Sequence, residues 1–140
     1  MLHQNIILKY KGYSLSKLIQ IAQKNFNKFI RQRDKDELCI SCKASPVQQA
    51  GHYYSAGHFS ILRFNEDNTH GQCIRCNYYL SGNLTEYRRN LEKKIGKERL
   101  NKLDELAAAN KRNRGFKWDR FALIEIIEQY KNKTHESDQL

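Results

Sequence analysis

Apolar positions recur at helical spacing from Leu15 through Leu18, Ile19, Ala22, Phe26 and Phe29 to Ile30, and Ser14 stands before them as a capping residue. The pattern predicts an amphipathic helix of about twenty residues, whose polar face carries Lys17, Lys24, Lys28 and Arg31. With its charged exit it occupies 14–37, ahead of the first cysteine. Residues 1–13 show no strong period, and Ile6, Ile7 and Leu8 suit a short strand or an anchoring arm. Three further helices read from the C-terminal part. One spans 85–95, with Tyr87, Leu91 and Ile95 on one face and Gly96 as its stop. Another spans 97–109, with Leu100, Leu103, Leu106 and Ala107 inward. The last starts at the capping residue Asp119 and turns Phe121, Ile124, Ile127 and Tyr130 inward. Residues 132–140 are polar and expected to form a flexible, frayed tail.

The segment 38–84 follows a different pattern. Short strands are predicted at 51–54, where Tyr53 and Tyr54 favour β structure, and at 61–64. An irregular loop holds Pro46, a polar turn covers 65–68, and a helix begins near Cys76 and breaks at Ser81-Gly82-Asn83. The fold class is therefore α+β and mostly helical, in a single domain over 14–131: the basic helix, a loop-rich core at 38–84, and C-terminal helices at 85–131.

That core contains all four cysteines, as Cys39-x-x-Cys42 and Cys73-x-x-Cys76, with 30 residues between the pairs. Each pair places two thiolates on one turn and fills half of a tetrahedral zinc shell. Zn²⁺ held by Cys39, Cys42, Cys73 and Cys76 would be closed and structural. The alternative is two redox pairs or free thiols. The N-terminus shows no signal peptide, and no run reaches the roughly 18 apolar residues that a membrane span needs. Both point to a reducing, cytoplasmic setting, where paired Cys-x-x-Cys motifs hold metal more often than disulfides.

Charge changes the picture again. Lys plus Arg number 25 against 15 acids, and no acid precedes Asp34. A surface so basic collects polyanions, nucleic acid above all, by counterion release. An anionic membrane surface ranks lower, because no interfacial aromatics bound the first helix. Candidate phosphate contacts are Lys24, Lys28, Arg31, Arg63, Arg75, Arg88 and Arg89, with Lys93 and Lys94 beside them. Tyr53, Tyr54, Tyr78 and Tyr79 are candidates for stacking on bases or for packing.

A closed zinc cannot activate water, so any catalysis rests on neighbouring residues. His52 on a strand can act as a general base, and Asn68 can fix its backbone or ring. Asn77, directly after Cys76, offers an oxygen to a hard cation. His58 reads as a loop residue rather than a ligand, and His70 suits a structural hydrogen bond as well as a metal.

The order Cys-x-x-Cys, Gly-His, Asn-x-x-x-x-Cys-x-x-Cys-Asn resembles the HNH, or ββα-metal, nucleases stapled by a four-cysteine zinc. Phage endonuclease VII is similar in having Asn after the last cysteine. The match is closer to the phage NinG proteins, also called Rap. It is carried by Arg31-Gln32-Arg33-Asp34, Cys39-Ile40-Ser41-Cys42, Ala50-Gly51-His52-Tyr53 and Leu62-Arg63-Phe64-Asn65-Glu66. His70-x-Gln72-Cys73, Cys76-Asn77 and Ser81-Gly82-Asn83-Leu84 extend it. The resemblance covers roughly 14–130 and is dense over 29–88. It implies a zinc-stapled HNH-like core and a phage or prophage endonuclease acting in the bacterial host on branched DNA, such as Holliday junctions and D-loops. By the same resemblance His52 is the general base, Asn68 the middle Asn of the motif, and Asn77 a ligand to catalytic Mg²⁺ or Mn²⁺.

Two departures stand out. Many HNH nucleases have Asp before the base histidine, whereas this chain has Gly51, which can ligate only through its carbonyl. A further ligand would come from His70, His52, Glu66, Asp67 or water. The chain also starts near the first core helix, without the cysteine-bearing N-terminal extension of some NinG proteins. The alternative functions are a non-catalytic zinc-containing nucleic-acid-binding module and, more weakly, a protein-interaction domain. A homodimer would pair two active sites on a junction, and the apolar stripes at 15–30 or 117–130 could join the copies.

Overall fold

The first long helix forms as its period requires. In the computed structural model, which describes the backbone of residues 2–138 and the side chains of 2–134, it is α2, Leu15–Arg33. Ser14 Oγ accepts from the Lys17 amide at 3.1 Å, satisfying one of the free N–H groups of the first turn. Leu18, Ala22, Phe26 and Ile30 are buried, and the helix ends at Asp34. Their partner is α5, Arg120–Asp138, which buries Leu123, Ile124, Ile127 and Tyr130 in the same cluster. Phe26 and Tyr130 meet edge to face, with centroids 4.9 Å apart. Most of the stripes at 15–30 and 117–130 therefore cover each other within one chain, which leaves Leu15 and Phe121 exposed. Asp119 caps α5 by accepting from the Ala122 amide. Phe121, expected inward, is 54% exposed, and Leu123 takes the core position. The helix continues to Asp138 through part of the expected tail, because Thr134 is still buried; residues 139–140 lie outside the described residues.

The N-terminal arm is a short helix, α1 (Gln4–Lys9), rather than a strand. Six residues cannot hold a helix alone. Tertiary contacts do so here: Leu2 and Ile6 pack on the α2–α5 core, and Tyr10 is buried with its hydroxyl donating to Glu128. The Arg120 guanidinium donates to the Tyr10, Lys11 and Tyr13 carbonyls, which satisfies the exposed end of the turn.

A second core joins α3 (Leu84–Ile95) and α4 (Lys97–Arg112), with Tyr87, Leu91, Ile95, Leu100, Leu103 and Ala107 buried against Ile40 and Leu62. Gly96 separates the helices at φ +86°, a left-handed value that favours glycine.

Between the two cores lies an antiparallel pair, β1 (Gln49–His52) and β2 (Thr69–Gln72), with Gly51 opposite His70 and Gln49 opposite Gln72. Side chains alternate across it. Ala50 packs on the first core and His52 approaches Phe26 of α2, while His70 and Gln72 point toward Tyr87 and the cysteines. The strand stops at His52, earlier than expected, so Tyr53 and Tyr54 lie beyond it. Residues 61–64 are not a strand. Ser60–Leu62 forms a 3₁₀ turn, because Leu62 and Phe64 drop into different cores and no neighbouring strand pairs with them. Thr69–Gln72, directly before Cys73, supplies the second strand instead. No helix among the described residues is long and apolar enough to cross a membrane.

Asp34 ties the elements together. Its buried carboxylate accepts from Arg33 at 2.8 and 2.9 Å, from Lys94 of α3 at 3.2 Å and from the Gly71 amide of β2 at 2.8 Å. Burial alone would raise its pKa, but Arg33, Gly71 and Lys94 hold it well below the ordinary carboxylate value. A depressed acid contributes its stability above the unfolded pKa of about 3.9, and loses it as pH falls below that value. Asp34→Ala should cost about 3 kcal/mol, by leaving Arg33 and Lys94 without their shared carboxylate. Urea melts at neutral pH and at pH 3 check this: the gap between variant and parent narrows in acid but persists at pH 3, which still lies above the depressed folded-state value.

Candidate functional site

Cys39 and Cys42 sit on a tight turn in which the Lys43 amide donates to the Cys39 carbonyl at 2.9 Å. Cys73 and Cys76 flank the entry to a π-helical turn, Arg75–Tyr79. This is the helix start expected near Cys76, wound more widely than an α-helix. The four sulfurs lie within 4.8 Å of one another, and Cys42 and Cys73 are 3.9 Å apart. A tetrahedral zinc with bonds of about 2.3 Å needs sulfurs roughly 3.8 Å apart, so the cluster is compatible with a structural zinc. The Cys76 amide and the Asn83 side chain donate to Cys73 and Cys76 Sγ, the kind of support that orients metal thiolates. Burial pushes the Cys76 thiol up to about 12 and raises Cys39. Burial also raises Cys42, but the Ala44 and Ser45 amides bring it down to about 6. Among the described residues no other group of His, Cys or acidic side chains is arranged to hold a metal.

His52 closes β1. Its Nε2 lies 2.8 Å from the Arg63 carbonyl oxygen. A carbonyl only accepts, so Nε2 carries the proton and the neutral ring keeps its lone pair on Nδ1. Burial lowers its pKa, and the nearby Arg63 cation adds to that. At neutral pH the ring is therefore uncharged and basic at Nδ1.

Asn68 is wholly buried and spends its amide on the loop beyond β1. Oδ1 accepts from the Tyr54 amide at 2.8 Å, and Nδ2 donates to the Tyr54 and Leu62 carbonyls at 2.9 and 3.2 Å. It holds the backbone on either side of the His52–Arg63 contact and touches no solvent. Asn77 is half-buried in the π-helical turn. Its Nδ2 donates to Gln49 Oε1 at 2.8 Å, and its Oδ1 faces Gly51.

No hydrogen bond joins His70 to Asn77 among the described residues. His70 is buried against Tyr87, with Nδ1 3.4 Å from the hydroxyl, and it lines a pocket with the cations Arg33, Lys94 and Arg99 and the acids Glu66 and Asp67. Burial and the first two of these cations lower its pKa to about 3. The two acids are already paired, Glu66 with Lys133 and Asp67 with Arg99, and with His70 they form no metal-holding cluster among the described residues. His58 is exposed and bonded to Ser55 Oγ. The Gly51 carbonyl, its only possible ligand atom, accepts from the Tyr87 hydroxyl at 2.7 Å.

Comparison with known proteins gives this arrangement a family. The family profile described as Bacteriophage Lambda NinG protein matches residues 4–139. The chain belongs to the NinG family. It is 42% identical over 113 residues to protein ninG of Escherichia phage lambda, covering 79% of this chain and 52% of that protein. Its identity to protein ninG of Salmonella phage P22 is 41%, covering 79% of this chain and 52% of the relative. Protein ninG of Escherichia phage 933W is also 41% identical, at 79% and 53% coverage. The chain thus spans about half the length of these curated relatives. No solved structure matches it.

In this NinG chain the seven cations singled out by type are not equivalent. Lys24, Lys28 and Arg31 form an exposed stripe on α2, and their side chains, like that of exposed Arg75, make no ion pair or hydrogen bond among the described residues. Among the described residues the Arg63 side chain reaches only Gln23 Oε1, at 3.2 Å, and has no carboxylate partner. Arg88 is consumed by a two-pronged pair with Asp104 at 2.7 and 3.1 Å, which raises its pKa further, and Asp104 also accepts from Tyr54. Arg89 pairs with Glu86 on the surface. Tyr78 and Tyr79 are 73% exposed, whereas Tyr53 and Tyr54 pack on the second core.

Two residues of the site escape sequence reasoning. Tyr87 reads as core by its period, yet its hydroxyl holds the backbone of Gly51. Gln72 is wholly buried and donates to Ser41 Oγ and the Gly82 carbonyl, both at 2.8 Å, so it joins the loops of the two cysteine pairs. Gln72 stands in the sequence motif His70-x-Gln72-Cys73, but nothing in that motif says which groups its amide bonds.

Proposed function

We propose that this NinG protein is a structure-specific DNA endonuclease with an HNH-like ββα-metal centre, formed by β1, β2 and the π-helical turn. The observation that carries the reading is His52. Its proton is committed to the Arg63 carbonyl, its Nδ1 is left basic, and it lies one residue from the point where Asn77 Oδ1 faces the strand.

His52 Nδ1 takes a proton from water as the water oxygen attacks the phosphorus, and the 3′ oxygen departs on the opposite side. Arg63, half-buried and without a carboxylate partner among the described residues, offers its charge to the phosphate beside the ring. Asn68 keeps the loop that carries Arg63 in register with His52. The donor set at Asn77 is a neutral amide oxygen, which suits a hard cation that retains its waters. A bound Mg²⁺ or Mn²⁺ would neutralise charge on the phosphate and on the leaving oxygen. The α2 stripe of Lys24, Lys28 and Arg31, with Arg75, grips phosphates and reads shape rather than sequence.

The test is a panel of Holliday junctions, D-loops, flaps and linear duplexes incubated with the zinc-loaded protein in Mg²⁺ or Mn²⁺. Cutting at branch points is expected, and no cutting of any substrate would overturn the reading. The rate should rise with pH and level off, because only the neutral imidazole is active. Burial places the midpoint of that rise below the ordinary histidine value of about 6.5, so a pH–rate profile with a midpoint above 7 would exclude His52 as the base.

A second reading is a non-catalytic zinc-containing module that binds nucleic acid. The lack, among the described residues, of a His, Cys or acidic metal cluster outside the cysteines favours it. Metal titration separates the two, since the module would hold one zinc and no further divalent cation.

A further inference from the structure

Gln72 places a fixed, unpartnered oxygen beside Asn77. Its Nε2 donates to the Gly82 carbonyl, which can only accept, and to Ser41 Oγ. The amide orientation is thereby set, and Oε1 points the other way. That oxygen is buried and has no hydrogen-bond partner among the described residues. Leaving such an atom unsatisfied costs about 1–3 kcal/mol, so its retention calls for a ligand.

Gly51 shows where the oxygen points. A Cβ added there would lie 1.7 Å from Gln72 Oε1 and 2.9 Å from Asn77 Oδ1. Both amide oxygens therefore face one small volume, and only a residue without a side chain at 51 lets Gln72 reach it. Asn77 is turned the same way because its Nδ2 is tied to Gln49. Two carbonyl oxygens with no N–H between them repel each other, and a hard cation that takes oxygen ligands removes the conflict.

Other donors nearby are already engaged. The Gly51 carbonyl accepts from Tyr87, and His52 Nε2 donates to Arg63. Glu66 accepts from Tyr130 and Lys133, and Asp67 pairs with Arg99. We infer that Gln72 Oε1 is a protein ligand, with Asn77 Oδ1, for a divalent cation seated beside Gly51. This rests on the nuclease reading for its purpose, but its geometry stands apart from His52. Two neutral ligands make a weak site that leaves most of the coordination shell to water and phosphate, as Mg²⁺ and Mn²⁺ prefer.

The experiment is Mn²⁺ binding to the full zinc-loaded chain without DNA, followed by the electron paramagnetic resonance signal of free Mn²⁺. The parent should show one weak site. Gln72→Ala should weaken it by about tenfold or more, with zinc content unchanged. Adding Gly51→Asp to Gln72→Ala should restore binding, because the oxygen then comes from the other strand into the space vacated. Gln72→Met, which keeps the length and bulk of the side chain but carries no oxygen, should weaken binding as much, and it covers the case in which Gln72→Ala loses its fold. Parent-like Mn²⁺ affinity in both Gln72→Ala and Gln72→Met would overturn the inference while leaving the nuclease reading in place. A parent that cuts branched DNA in Mn²⁺ but ignores Gln72 substitution points to the same conclusion. A parent with no Mn²⁺ site and no cleavage sinks both.

Discussion

His52→Ala is expected to slow cleavage of branched DNA by about 10²–10⁴-fold, the range contributed by a positioned general base. The effect should fall on the chemical step. His52 closes a short strand at the edge of the α2–α5 core, and its ring makes one hydrogen bond, to the Arg63 carbonyl. Removing it leaves the Phe26 cluster and all four cysteines in place. Zinc content, melting temperature and affinity for a junction at fixed salt should therefore stay close to the parent's. His52→Gln refines the test, because its amide can still donate to Arg63 but is a very poor base. It should be as inactive as the Ala variant. Single-turnover cleavage on a preformed protein–junction complex is the measurement. Parent-like cleavage by either variant would remove His52 from the mechanism.

Loss of the cysteine-bound metal should have the largest structural effect. Zinc in small four-ligand sites contributes about 10–16 kcal/mol of apparent binding energy. That exceeds or matches the roughly 5–15 kcal/mol by which a domain is stable. Stripping the metal with a strong chelator, or substituting Cys76→Ser, should therefore melt the segment between the cysteine pairs. The melting should be uneven. The α2–α5 core contains no cysteine and should keep its helices, while β1, β2 and the π-helical turn depend on the cluster to meet. Asn77 follows Cys76 directly, so cleavage should vanish together with the zinc. Acid should act in the same direction, since thiolates must be deprotonated to hold metal. Circular dichroism with a colorimetric assay of released zinc would check this. Full native signal after complete zinc loss would show that packing alone supports the site.

Much of this site is legible in the residues. Two Cys-x-x-Cys pairs define a tetrahedral donor set because spacing and ligand chemistry are local properties. The α2 helix, its Ser14 cap, the Tyr87–Leu91–Ile95 stripe and the Gly96 stop are legible for the same reason: each depends on residues within a turn or two. Arg88 shows the opposite case. By type it is a phosphate contact, yet Asp104, 16 residues away, has already claimed it. Nothing in the order of residues reveals that pairing. His70 likewise suits a metal by type, but the fold buries it against Tyr87, and the acids that line its pocket, Glu66 and Asp67, are paired with Lys133 and Arg99.

Composition, period and motif spacing determined the helices, the cysteine frame, the basic charge and the position of His52 on a strand. Tertiary structure alone decided that residues 4–9 coil on the α2–α5 core and that residues 60–62 turn instead of pairing. It also decided which cations remain free, and that Gln72 and Asn77 face Gly51. Those outcomes turn on burial and on hydrogen-bond partners far apart in the chain, and such competition is settled only when the chain has closed.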